Sequence, residues 1–211
     1  MIHRLAQKLA EYLNRELNTG GSRQAIIAYG LEIILGGIIK LVSFVAVPAA
    51  LGILPQTWAA LLASACFRLP AGGAHCTAYY RCLVGSLFTF SLIGAAAKHT
   101  AVFISADRVF YISISLALLS VALWAPADTE IKPVTRPGDR KKAKAWSYGV
   151  LVLYLYLRYY YQIPNELLLA GSLGLLSQVF TLTPLGYWAM MKLDRFLLKI
   201  SYPLTGRREV S

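Results

Sequence analysis

IIAYGLEIILGGIIKLVSFVAV, residues Ile26 to Val47, decides the fold class of this chain. The stretch carries two ionisable side chains, Glu32 and Lys40, and its length matches the roughly 20 apolar residues that a helix needs to cross a bilayer. Five further apolar stretches follow: Ala49 to Phe67, Cys82 to Ala97, Val109 to Trp124, Tyr148 to Tyr161 and Leu167 to Leu185. Those at Cys82 and Tyr148 are short and the latter contains Arg158, so tilt or snorkelling has to make up their length. The expected fold is an all-α membrane protein, a six-span polytopic helical bundle. Composition agrees: 57% of the 211 residues are apolar and 15% charged, against about 25% charged in a soluble domain, and the mean hydropathy is +0.54. That excludes a globular cytosolic enzyme, a disordered regulator and a secreted disulfide scaffold.

Ahead of the first span, Ile2, Leu5, Leu9, Leu13 and Leu17 recur at helical spacing with Arg4, Lys8, Glu11 and Arg15 between them. Residues 1–22 therefore read as an N-terminal amphipathic interfacial helix and not as a signal peptide, with an ordinary packing helix as the alternative. Orientation comes from the segment 125–145. There Lys132, Arg136, Arg140, Lys141, Lys142 and Lys144 outnumber Asp128, Glu130 and Asp139, as in a basic cytoplasmic loop. Counting back through the spans puts Lys98 to Arg108 outside and Arg68 to Arg81 inside. Both termini are then cytoplasmic, in agreement with the basic N-terminus and with Lys192, Arg195, Lys199, Arg207 and Arg208 in the tail. The net charge of +11 follows from this topology, with no nucleic-acid partner implied. Trp58, Trp124, Trp146 and Trp188 fall near the span ends, as an interfacial belt requires.

The chemistry lies between the second and third spans, in Arg68-Leu-Pro-Ala-Gly-Gly-Ala-His75-Cys76-Thr-Ala-Tyr-Tyr-Arg81-Cys82. Pro70, Gly72 and Gly73 are expected to break the helix and leave a loop whose bare backbone can approach a substrate. His75 can take a proton from a thiol, and a thiolate is a strong nucleophile, so a His and a Cys suffice for acyl transfer. On a helix Cys76 diverges from His75 by about 100°, whereas the seven-residue step to Cys82 returns to nearly the same face. Along one straight helix those seven residues span roughly 10 Å, too far for a hydrogen bond. The helix must therefore be interrupted, with His75 on a loop that folds back toward Cys82 and Thr77 as the expected N-cap of the third span. The bland alternative is a histidine at a packed crossing beside ordinary buried cysteines.

Supporting roles are open between two readings each. Arg68 either holds a substrate carboxylate or oxyanion, or snorkels at a span end. Glu32 either orients His75 or makes an interhelical structural bond, and Asp128 is a second candidate orienter. Arg81 reads as an interfacial anchor, Cys66 as a small apolar residue within a span, and the three cysteines as reduced thiols. Gly36, Gly37, Gly171 and Gly174 permit close helix approach, within the chain or in a dimer. No metal or cofactor is expected, because His75 lacks a second histidine within one helical turn and His3 and His99 belong to opposite ends of the topology. The competing function is a small multi-pass transporter or exporter with a path lined by Glu32, Lys40 and the Gly-Gly break.

The set Arg68, Gly72, Gly73, His75 and Cys82 resembles the accessory gene regulator protein B (AgrB) family, and the stretch Ala125-Pro126-Ala-Asp128-Thr-Glu-Ile-Lys132-Pro133 resembles that family's Pro-x-Asp loop. The resemblance implies a single integral-membrane peptidase domain over residues 1–211, with residues 68–82 as its catalytic segment. It implies a cysteine endopeptidase of the bacterial cell membrane that cuts an AgrD-like propeptide on the cytoplasmic side, on the way to a cyclic quorum-sensing peptide. Cys82 would be the nucleophile and His75 the general base. Arg68, Gly72, Gly73, Glu32 and Asp128 would support them, and Lys132, Arg140, Lys141 and Lys142 would attract the propeptide's acidic tail and anionic lipids. A homodimer is also implied.

Overall fold

A computed structural model of the chain describes residues 2–17, 21–74, 78–127 and 137–205. The described residues form eight α-helices and no strand: α1 (Ile2–Leu17), α2 (Gly21–Ala50), α3 (Leu54–Ala71), α4 (Tyr79–Thr100), α5 (Ala106–Leu123), α6 (Pro137–Tyr160), α7 (Asn165–Leu182) and α8 (Pro184–Thr205). Each of the six expected apolar stretches has most of its residues in one helix from α2 to α7, although Ala49–Phe67 begins in the last two residues of α2. Among the described residues four helices are long and apolar enough to cross a membrane: Arg23–Ala50 within α2, and α4, α5 and α7. The chain forms two compact units, Met1–Ala50 and Leu51–Ser211.

In the first unit α1 packs on α2. The contact face of α1 is made of Ala6 and Ala10, both fully buried, while Leu5, Leu9 and Tyr12 are exposed. Of the row predicted from helical spacing, Leu5 and Leu9 are exposed within this unit and Leu13 is half-buried. The described part of the helix runs to Leu17, and Gly21, within the expected 1–22, already belongs to α2. Glu32 on α2 accepts a hydrogen bond from His3 Nδ1 at 3.0 Å, so the interhelical partner that its position demands comes from α1.

The second unit is built around α7, which packs against α3, α4, α5 and α8. A Cβ on Gly174 would collide with the backbone of Ala60, and one on Gly171 would touch Ala63, so these two glycines serve the α3–α7 crossing inside the chain. Phe67, Leu169, Leu175, Leu182 and Val121 fill the core.

Three boundaries differ from the sequence reading. The segment expected as a basic loop at 125–145 is helical from Pro137 onward. Proline is tolerated at the first helical position, Asp139 suits the first turn, and Lys, Arg and Ala are good helix formers, so Arg140, Lys141, Lys142 and Lys144 lie on the opening turns of α6. The sixth apolar stretch ends at Leu182, not Leu185. Pro184 forces the preceding Thr183 into extended backbone, φ −80° and ψ 155°, and starts α8, a helix over residues expected as a basic tail. Finally, α3 runs through Pro70 and stops at Gly72.

Candidate active site at the junction of α3 and α4

Helix α3 ends because Gly72 leaves helical space. Its φ is 77° and that of Gly73 is 131°, values that side chains with a Cβ rarely adopt. Space excludes a side chain as well. A Cβ on Gly72 would collide with the Ala127 carbonyl, and one on Gly73 would lie 2.8 Å from Thr181 Oγ1 and 3.0 Å from Gln178 Nε2. The bare backbone at this point is therefore in contact with the protein's own chain. Gly72 N–H caps the helix by donating to the Arg68 carbonyl at 2.9 Å.

Beyond the cap, the chain is fastened on two sides. The Ala127 amide donates to the Ala71 carbonyl at 2.9 Å, and Ala127 forms an isolated parallel bridge with Gly72. On the other side the Ala74 amide donates to the Thr181 carbonyl at 3.1 Å, and Gln178 Nε2 donates to the Gly72 carbonyl at 2.7 Å. Arg68 occupies the middle. Its Nη1 donates to Gln178 Oε1 at 2.9 Å and to Thr181 Oγ1 at 3.5 Å, and its Nη2 donates to the carbonyls of Gly73, at 3.3 Å, and Ala74. The guanidinium fork thus satisfies carbonyls that a non-helical turn leaves open at the edge of an apolar bundle.

The chain continues into α4 at Ala78, its N-cap, in extended backbone; the cap is one residue beyond the Thr77 expected from sequence. Cys82 lies in the first turn of α4, partly buried, with its amide donating to the Ala78 carbonyl at 3.1 Å. Helices α3 and α4 are separate, α3 ending at Ala71 and α4 starting at Tyr79, so the helix break expected at Pro70, Gly72 and Gly73 is present. His75, Cys76, Asp128 and Lys132 lie outside the described residues. In sequence His75 directly follows the fastened Ala74, and Asp128 directly follows the bridged Ala127.

Of the other expected site residues, Arg68, Gly72 and Gly73 are brought together at the junction. Glu32 belongs to the first unit, and Arg140, Lys141 and Lys142 are exposed on α6. Arg81 is not an interfacial anchor. It is 6% exposed and forms an ion pair with Asp194 of α8 at 3.3 Å, with its guanidinium 5.6 Å from the Tyr80 ring centre. Among the described residues no cluster of His, Cys, Asp or Glu has the makings of a metal site. Sequence reading missed Gln178, Thr181 and Asp194. Gln178 carried a usable signal, a primary amide inside an otherwise apolar span, where an unpaired polar group is costly.

With this geometry in place, the family model described as accessory gene regulator B matches residues 6–182, the stretch from α1 to the end of α7. The chain belongs to the accessory gene regulator B family. It is 25% identical over 213 aligned residues to a protein of Clostridium perfringens (strain SM101 / Type A) named as AgrB-like, covering 95% of this chain and 100% of that one. An AgrB-like protein of Listeria innocua serovar 6a is 31% identical over 163 residues, covering 76% of this chain and 77% of the relative. No solved structure matches the chain. Family membership and the four apolar helices make it a membrane protein.

Proposed function

We propose that the chain is a membrane-embedded cysteine endopeptidase that cleaves an AgrD-like propeptide on the cytoplasmic side of a bacterial cell membrane, with Cys82 as nucleophile and His75 as its base. The observation that carries this reading is the fastened break between α3 and α4. It ties down Ala74, the residue before His75, and Cys82 lies in the first turn of the next helix. Cys82 Sγ attacks the carbonyl carbon of the scissile peptide bond while its proton passes to His75. The C–N bond then breaks as His75 returns the proton to the leaving amine, and the acyl group remains on Cys82 as a thioester. A thiol or hydroxyl of the propeptide displaces Cys82 and closes a thiolactone or lactone ring. Thioester exchange is nearly balanced in energy, so ring closure competes with hydrolysis only where water is excluded, which a site among membrane helices favours.

The supporting cast follows from position. Asp128 is the better orienter of His75, since its chain neighbour Ala127 is bridged to Gly72 while Glu32 has His3 as its partner. The topology we propose has six spans, α2 to α7, with both termini cytoplasmic. It places Arg68, Cys82 and the basic start of α6 on one face, where Arg140, Lys141 and Lys142, with Lys132, attract an acidic propeptide tail and anionic lipids. A homodimer is the proposed assembly. In liposomes of anionic lipid, Cys82→Ser and His75→Ala are each expected to abolish cleavage of an AgrD-like propeptide, while Cys66→Ala leaves it intact. Full cleavage by Cys82→Ser would overturn the assignment.

A further inference from the structure

Gln178 stands apart from the rest of α7. It is 1% exposed, one helical turn beyond Gly174 on the face that meets α3, and both ends of its amide are used. Close packing of α7 on α3 does not need it, because Gly171 and Gly174 already supply the crossing. Its partners are of opposite kinds. The Gly72 carbonyl can only accept and the Arg68 guanidinium can only donate, so a primary amide serves both and a carboxylate cannot. One turn further along, Thr181 takes the Ala74 amide on its carbonyl and the Arg68 guanidinium on its hydroxyl.

We propose that Gln178 is a positioning residue for peptide cleavage. By donating to the Gly72 carbonyl and accepting from Arg68 it fixes the direction in which the chain leaves α3 toward His75. It touches no reacting atom and acts through the backbone of Gly72 to Ala74. The inference rests on the reading of His75 and Cys82 as the reacting pair.

The test uses the full chain in liposomes, with two measurements: steady-state cleavage of an AgrD-like propeptide, and hydrogen exchange of peptides covering residues 54–82. Gln178→Glu keeps a partner for Arg68 but turns a second acceptor on the Gly72 carbonyl. Gln178→Leu removes both bonds. Each is expected to lower kcat by about 100-fold, the effect of a misplacement near 1 Å, with KM changed by no more than about twofold. Exchange should accelerate at Gly73 and Ala74 and stay unchanged in α3 ahead of Arg68. If Gln178→Leu does not fold, Gln178→Glu carries the test. Wild-type kcat in the folded variants, a change confined to KM, or faster exchange throughout α3 would each overturn the inference. A wild-type protein that leaves the propeptide uncut would overturn the peptidase reading and the inference with it, whereas normal wild-type cleavage with undiminished kcat in the variants removes the inference alone.

Discussion

The two ends of the second unit spend their polar side chains differently. At the Gly52 end, Lys98 Nζ donates to the Gly52 carbonyl at 2.8 Å, Arg158 contacts Asp107 at 2.7 and 2.8 Å, and Gln56 donates to Glu166 at 2.6 Å. Two of these contacts join one helix terminus directly to another. Among the described residues, one carbonyl outside the helices takes a side-chain donor at that end, Gly52 from Lys98, whereas at the Gly72 end Arg68 and Gln178 address three, those of Gly72, Gly73 and Ala74, and a buried ion pair joins α4 to α8. Closing helix ends needs only pairwise contacts. Holding a short non-helical segment in a fixed path needs several donors aimed at its backbone, which the Gly72 end supplies.

Two ion pairs make the comparison breakable. Arg81 and Asp194 have side chains 6% and 13% exposed, whereas Arg158 and Asp107 are 32% and 48% exposed. Asp194→Ala removes a carboxylate from the buried Arg81 guanidinium and is expected to destabilise the folded protein by about 3–5 kcal/mol, read as a lower denaturation midpoint in detergent, with loss of α8 docking. Arg158→Gln breaks a solvent-screened pair and is expected to cost under about 1 kcal/mol and to leave cleavage unchanged. Equal losses from the two substitutions would mean that the ends are not built on different principles.

The same contrast explains what was legible in the sequence. Six apolar stretches announced α2 to α7, because hydrophobicity over some twenty residues is a local property, and Gly72-Gly73 announced the break, because positive φ is a glycine signature. The exact stop of α3 was not legible, since Pro70 lies near enough to the helix end to be accommodated. Nor was the start of α6, where basic residues were weighed as topology signals and not as helix formers. The bonds from Arg68 to Gln178 and from Arg81 to Asp194 join residues more than a hundred positions apart. Read alone, each arginine carries the generic signature of a span end, and the folded chain supplies the partner that gives it a specific role.

The proposed cleavage requires a thioester on Cys82. Liposomes containing the wild-type protein are mixed with an AgrD-like propeptide, quenched in acid within the first turnovers and digested, and the cysteine-containing fragments are weighed by mass spectrometry. An acyl adduct on the Cys82 fragment, absent in His75→Ala, is the expected result. Cleaved propeptide accompanied by an adduct on Cys76 or Cys66, and none on Cys82, would show that Cys82 is not the nucleophile.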